Sequence, residues 1–279
     1  MLRVGLIQLN ASDDPCANLP VTSDMIRQAV GQGATFVLTP EVTNCVSASR
    51  TRQAEVLQTE DDDQTLAGLR ALAAELKIWL LIGSLALKTD DPDGRFANRS
   101  FLIDPDGEIR SRYDKIHMFD VQVSETETYR ESSGFRPGSK SVLADTPMGK
   151  IGMTVCYDLR FPHLFRGLAK AGANILTVPA AFSPGTGPMH WEPLLRARAI
   201  ENGAYVLAPA QTGQHQASRG RVRTTWGHSI AVSPWGEVLA EAGTEAGVTM
   251  VDLELADVDA ARRKIPSLDH DRPIEGPNG

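Results

Sequence analysis

Short apolar runs alternate along this chain with longer segments of helical period. Val4 to Leu9 and Thr35 to Leu38 read as buried strands on either side of a helix over Ser23 to Val30. Between Leu66 and Leu76 the residues Leu66, Leu69, Leu72, Ala73 and Leu76 fall on one helical face, and Ile78 to Leu87 follows as a strand. Further strands are predicted at Arg99 to Ile103, Ile151 to Val155, Ile175 to Val178 and Tyr205 to Ala208, with helices at Pro162 to Ala171 and Trp191 to Asn202. In the last helix Leu194, Leu195 and Ile200 are the expected core positions, and Arg196, Arg198 and Glu201 the solvated or subunit-facing side. Such alternation is the α/β signature. Two segments, 98–108 and 228–237, couple a strand to a tight turn containing Pro and Gly, which predicts antiparallel hairpins. Helix-linked strands together with hairpins predict mixed sheets, and two such sheets face to face with helices outside are a consistent layering.

No Gly-, Ser- or Pro-rich linker divides the chain and no repeat recurs at a fixed period. The expectation is one domain over residues 1–266, then a polar, Pro- and Gly-rich C-terminal arm, 267–279, lying on the surface or on a partner subunit. A length of 279 residues suits a single large α/β core. Lys and Arg number 28 against 35 Asp and Glu, so the formal charge of −7 offers no overall attraction to nucleic acid or an anionic membrane. A small-molecule partner fits that balance better. The start, Met1-Leu2-Arg3-Val4-Gly5, runs directly into a strand without the features of a signal peptide, and no apolar stretch approaches the roughly 18 residues of a membrane helix. Cys16, Cys45 and Cys156 are too few and scattered for a disulfide framework, which points to a reducing cytoplasm.

Three polar residues stand where strands end. Cys156 follows the apolar run Ile151-Gly152-Met153-Thr154-Val155 and precedes a helix opening near Pro162, a corner that exposes a side chain to backbone N–H groups. Its alternative is a small buried hydrophobe. Glu41 follows Phe36-Val37-Leu38-Thr39-Pro40, at the sheet edge where open α/β folds bind ligands, or else is a solvated loop glutamate. Lys115, in Tyr113-Asp114-Lys115-Ile116-His117-Met118-Phe119, is a cation among aliphatic and aromatic neighbours, or an exposed lysine whose stem lies along the surface. If the three converge they supply a thiol nucleophile, a carboxylate to take its proton and a cation for a tetrahedral oxyanion, enough for acyl transfer without a metal.

The segments 38–41, 113–120 and 151–162 resemble, in order and spacing, the signature blocks of the nitrilase (carbon-nitrogen hydrolase) superfamily. The resemblance implies Glu41 as general base, Lys115 as oxyanion-stabilising cation and Cys156 as the nucleophile that forms a thioester. Glu131 resembles the family's second glutamate, which positions lysine and substrate. The implied fold is a four-layer αββα sandwich that dimerises, or assembles further, across its outer helices.

Tyr157-Asp158-Leu159-Arg160-Phe161-Pro162 resembles the amidase branches rather than the Trp-Glu that true nitrilases carry after the cysteine. Residues 182–201 and 226–236 are similar to the deaminated glutathione amidase and omega-amidase group. That implies Tyr157, Arg160, Phe182 and Thr186 as substrate-binding residues facing an acidic acyl group, for which an Arg fork offers two charge-assisted donors. A structural pair of Arg160 with Asp158 is the alternative. The basic loop Arg219-Gly220-Arg221-Val222-Arg223 matches no family function. No histidine has a partner at metal-ligand spacing, so neither metal nor cofactor is expected. The other readings are an N-carbamoyl amino acid or nitrile hydrolase of the same superfamily, a Cys–His hydrolase of another fold, and a silent binding or scaffold protein.

Overall fold

The computed structural model describes residues 1–276 apart from 124, 126, 127 and 274. The chain opens with β1 (Leu2–Gln8), α1 (Pro15–Gly31), β2 (Phe36–Leu38), α2 (Arg50–Val56), α3 (Gln64–Leu76), β3 (Trp79–Leu87), β4 (Ala97–Ile103) and β5 (Ile109–Asp114). A small hairpin, β6 (Asp120–Gln122) and β7 (Thr128–Arg130), leads to β8 (Val142–Thr146), β9 (Gly149–Met153), α4 (Pro162–Lys170) and β10 (Ile175–Thr177). Then come α5 (Gly187–Asn202), β11 (Tyr205–Ala208), β12 (Thr212–Gln214), β13 (Thr224–Trp226), β14 (Ile230–Val232), β15 (Val238–Glu241), β16 (Gly247–Leu253) and α6 (Ala256–Lys264).

Two six-stranded sheets result, ordered β16-β1-β2-β3-β4-β5 and β15-β14-β11-β10-β9-β8. Each has three parallel strands at its centre, β1-β2-β3 and β9-β10-β11, flanked by antiparallel ones. The expected hairpins are β4–β5 and β14–β15, so the mixed-sheet reading holds. Strand pleating divides the first sheet into two faces. Val4, Leu6, Phe36, Leu38, Leu81 and Leu102 pack with Ile151, Met153, Ile175 and Leu207 of the second sheet, while Ile7, Val37, Leu80, Ile82 and Phe101 pack with Ile26, Leu66 and Leu69 of α1 and α3. On the far side Leu164, Phe165 and Leu168 of α4 and Trp191 and Leu195 of α5 close the second sheet, completing the αββα layering. Every one of these apolar side chains is worth about 1.5–3 kcal/mol when fully buried. A Cβ on Gly5 would meet that of Ala29 at 2.8 Å, so a glycine is what lets α1 lie close on β1.

Helices α1, α3 and α5 begin earlier than periodicity predicts, while α4 opens at Pro162 as expected. α1 starts at Pro15 because Asp14 accepts from the Cys16 N–H at 3.0 Å and Pro15 has no N–H to lose. In α5 Leu195 is fully buried, but Ile200 is 55 % exposed, against the core position expected of it. Arg198 is likewise not solvated: its Nε donates to the Leu159 carbonyl at 3.0 Å and it lies over the Phe165 ring. Of the arm, Asp271 pairs with Lys170 (2.6 Å) and with Arg166, and Ile274 and 277–279 lie outside the described residues. No described helix is long and apolar enough to cross a membrane.

Candidate active site

The carboxyl ends of the parallel strands, with the end of β5, meet at one edge of the sandwich, the position where α/β sheets leave side chains free for ligands. After β2, Thr39-Pro40-Glu41 is held rigidly. The Thr39 N–H donates to Leu81 O (3.0 Å), Thr43 Oγ1 donates to Pro40 O (2.8 Å) and Val42 N–H donates to Ser84 Oγ (2.8 Å). A Cβ on Gly83 would lie 2.0 Å from the Thr39 carbonyl oxygen, so only glycine allows the neighbouring strand to approach this turn. Val42 takes φ 48°, a left-handed conformation that costs a β-branched residue about 1–2 kcal/mol. After β9, Cys156 takes φ 48° as well, with its N–H donating to Pro179 O at 2.9 Å, and heads a 3-10 turn over Cys156–Arg160. Two strained residues beside each other's strands are kept because the surrounding hydrogen bonds over-determine them.

Glu41, Lys115 and Cys156 converge here, each nearly fully buried. Lys115 Nζ donates to Glu41 Oε1 (2.8 Å) and to Glu131 Oε1 and Oε2 (2.9 and 2.8 Å). The second oxygen of Glu41 accepts from the Ala181 N–H at 2.8 Å, and the Cys156 thiol faces the Glu41 carboxylate closely enough for each to shift the other's pKa. Glu131 also accepts from the Phe119 N–H at 2.7 Å. Burial would raise the pKa of Glu41, but the charge and hydrogen bond of Lys115, with donors from Cys156 and Asn98, hold it below the usual carboxylate value. Burial works against the Lys115 ammonium too, and the charges of Glu131 and Glu41 overcome it and keep Lys115 well above an ordinary lysine. Burial and then the Glu41 charge push the Cys156 thiol well up, with Lys115 working the other way. The resting site is therefore carboxylate, ammonium and neutral thiol, arranged so that a proton leaving sulfur has Glu41 to receive it.

Sequence reasoning passed over two residues that build this centre. Asn98 Nδ2 donates to Glu41 Oε1 (2.9 Å) and Glu131 Oε1 (3.3 Å), and its own buried Oδ1 has no partner among the described residues. Nothing marks it in the sequence, where it is one polar residue at the head of an apolar strand. Asp158, fully buried, accepts from Tyr113 Oη (2.7 Å), Val155 N–H (2.8 Å) and His117 N–H (3.0 Å), with His117 Nδ1 2.6 Å away. It thus ties the lysine segment to the cysteine turn. It does not pair with Arg160, whose guanidinium stands over the Tyr157 and Phe182 rings and lies 3.2 Å from His190 Nδ1.

A cavity of about 350 Å³ opens onto this centre, lined by Glu41, Asn98, Lys115, Glu131, Cys156, Tyr157, Phe182 and Thr186 among others. Arg160 stands behind Tyr157 and Phe182 rather than on the wall. None of the histidines is on that wall, and the thiol's side-chain partner is Glu41, which weighs against a Cys–His reading. Cys45 shares the cavity, but burial and the nearby Asp13 charge push its thiol up to about 12, leaving it a neutral wall group. Among the described residues no three His, Cys, Asp or Glu side chains could together hold a metal ion.

The αββα layering with this strand-end cavity defines the class, a nitrilase-like hydrolase acting on carbon–nitrogen bonds other than peptide bonds. The chain belongs to the carbon-nitrogen hydrolase family, whose model matches residues 3–263. It is 39 % identical to the deaminated glutathione amidase of Yersinia enterocolitica over 97 % of this chain and 93 % of the relative. With the human omega-amidase NIT2 the identity is 36 % over 95 % and 92 %. Among solved structures it superposes on Saccharomyces cerevisiae Nit3, a member of branch 10 of the nitrilase superfamily, with a TM-score of 0.83 at 31 % identity, covering 95 % of this chain and 94 % of that one. A mutant amidase from Nesterenkonia sp. AN1 shows the result of Michael addition of acrylamide at its active-site cysteine. That structure matches with a TM-score of 0.76 at 27 % identity over 95 % and 98 % of the two chains. The protein is a nitrilase-superfamily amidase.

Proposed function

We propose that the protein hydrolyses a small, carboxylate-bearing amide through a thioester on Cys156, with Glu41 as general base, Lys115 as oxyanion-stabilising cation and Glu131 positioning the lysine. The observation that carries the reading is the meeting of a neutral thiol, an ionised carboxylate and a buried ammonium at one cavity wall. Glu41 takes the thiol proton as sulfur bonds to the amide carbon. The oxyanion draws on Lys115 and on the Tyr157 N–H, the neighbour of the Cys156 N–H that is itself committed to Pro179 O. The C–N bond then breaks, and ammonia or an amine leaves with the proton from Glu41. Water attacks the thioester, returns its proton through Glu41, and the carboxylic acid departs from a restored thiol. No metal enters these steps, because Lys115 supplies the positive charge.

Arg160, held behind the wall against the rings of Tyr157 and Phe182, is the candidate partner of a substrate carboxylate reaching past those rings, and Thr186 is on the cavity wall itself. The names of the relatives favour this over nitrile or N-carbamoyl hydrolysis. We read residues 1–266 as one hydrolase domain and 267–279 as an arm laid on α4 through Arg166 and Lys170. The exposed Met189, Ile200, Trp235 and Leu239, on α5 and the β14–β15 hairpin, favour a homodimer or larger assembly. The decisive experiment measures ammonia or amine release from a panel of amides, including alpha-ketoglutaramate, deaminated glutathione and N-carbamoyl amino acids, by the parent and Cys156→Ala. Release that falls by about a thousandfold or more in the variant, with its thermal denaturation unchanged, is the expected result. Full activity in Cys156→Ala would sink the mechanism.

A further inference from the structure

Arg160 closes the turn that begins at the nucleophile, and its guanidinium is held differently from most in this protein. Arg3, Arg27, Arg70, Arg112 and Arg219 each have a carboxylate within 3.4 Å. Among the described residues Arg160 has none. The acidic groups beside it are committed elsewhere: Asp158 accepts from Tyr113, Val155 and His117, and Glu192 pairs with Arg196 at 3.2 Å. What Arg160 has instead is two aromatic faces, Tyr157 at 5.9 Å and Phe182 at 5.6 Å, and one side-chain nitrogen, His190 Nδ1, at 3.2 Å from its Nη2. A guanidinium offers N–H donors and no acceptor, so the ring nitrogen that faces it must present a lone pair. His190 therefore stands as the neutral imidazole with its proton on Nε2. The pair gives the guanidinium a direction without cancelling its charge, whereas a carboxylate in the same place would fix Arg160 and neutralise it.

The fold sets His190 in place. It lies in the first turn of α5, its N–H donating to Thr186 O at 3.0 Å. The next residue, Trp191, is buried, with its Nε1 donating to His228 O (2.8 Å) and its ring 4.8 Å from that of Phe182. The segment that supplies Phe182 and Thr186 to the cavity wall thus runs directly into the helix that supplies the acceptor. His190 is itself exposed and absent from that wall. We infer that His190 is a positioning residue: it occupies one N–H of Arg160 Nη2, leaves the other donors of the fork for the acyl-side carboxylate, and so sets the preference for a charged over a neutral acyl chain. This rests on the proposed reading, in which Arg160 takes that carboxylate. The physical gain is preorganisation, because the cost of ordering a long, rotamer-rich side chain falls on folding rather than on binding.

The test uses two primary amides of matched shape, glutaramate and 5-methylhexanamide, in which an isopropyl end replaces the carboxylate. The parent should favour glutaramate in kcat/KM. His190→Leu keeps a good helix former on α5 and removes the acceptor; it should raise KM for glutaramate about tenfold, hold kcat within about twofold and cut the preference by the same tenfold, with Tm unchanged. His190→Asn, whose Oδ1 reaches close to the place of Nδ1, should restore most of the preference. Glu192→Gln, two positions on and paired with Arg196, should keep it. Arg160→Gln is measured alongside. A parent without preference, or a preference that Arg160→Gln does not lower, overturns the reading that Arg160 takes the carboxylate. Where Arg160→Gln does lower it, the positioning role alone is overturned if His190→Leu leaves the preference at the parent value, if His190→Leu loses kcat on both amides alike, or if His190→Asn restores nothing. The two failures are thereby told apart.

Discussion

The floor of the cavity and its rim are built on opposite principles. At the floor Glu41, Lys115 and Cys156 are buried, two backbone positions are held in a strained conformation, and Lys115 directs its hydrogen bonds at carboxylate oxygens with defined partners of their own. At the rim Arg221, and behind it Arg160, rest on aromatic faces, and among the described residues neither they nor Arg223 have a carboxylate partner. On the proposed mechanism the floor must not move, because acyl transfer depends on a proton passing between fixed atoms. The rim holds its charges on aromatic faces rather than on carboxylates.

The contrast can be broken most severely at the floor. Lys115→Met removes the cation between the buried Glu41 and the partly buried Glu131, and a lost partner of that kind costs about 3–5 kcal/mol. Urea denaturation should show a loss of that size together with abolished turnover, and an unchanged midpoint would mean the carboxylates are not held as described. A gentler change is Asn98→Ala. Removing a donor from Glu41 raises its pKa, so the acid limb of the pH–rate profile should move to higher pH and kcat/KM should fall about tenfold. A profile that stays in place would make Asn98 a structural residue only. The smallest effect belongs to the rim's foundation. His215 is buried, its ring nitrogens 2.7 Å from Ala11 O and from Thr225 Oγ1, and burial lowers its pKa from 6.5 to about 4. In the unfolded chain the imidazole takes up its proton first, so stability is full above about pH 6.5 and drains away as pH falls toward 4. Tm measured across that window should decline, and His215→Gln should flatten the decline; an equal slope in both proteins would remove His215 from the account.

Periodicity made most of the layered fold legible. Alternating and helical patterns placed the central strands, the hairpins and α3, because those features arise from local spacing against a buried face. Helix starts were legible less well: Asp14 and Pro15 announce α1 by capping chemistry rather than by apolar period. Arg198 escaped for another reason. Its helical position resembles a solvated one, and only the packing of α5 against the cysteine turn encloses it.

The three motif blocks carry the family within themselves, since each pairs a reactive residue with the strand end that presents it. Which other side chains complete the centre is a matter of distance in space. Asn98 reaches Glu41 across 57 sequence positions and Ala181 reaches it across 140, and no periodicity records such pairings. The basic loop makes the same point at the rim. Arg219, Arg221 and Arg223 are alike in sequence, and they differ only because Glu55 draws the first outward while the cavity wall receives the other two. Local spacing determines what a segment becomes. Burial and long-range contact decide which of its charges are matched by a carboxylate within the protein and which are not.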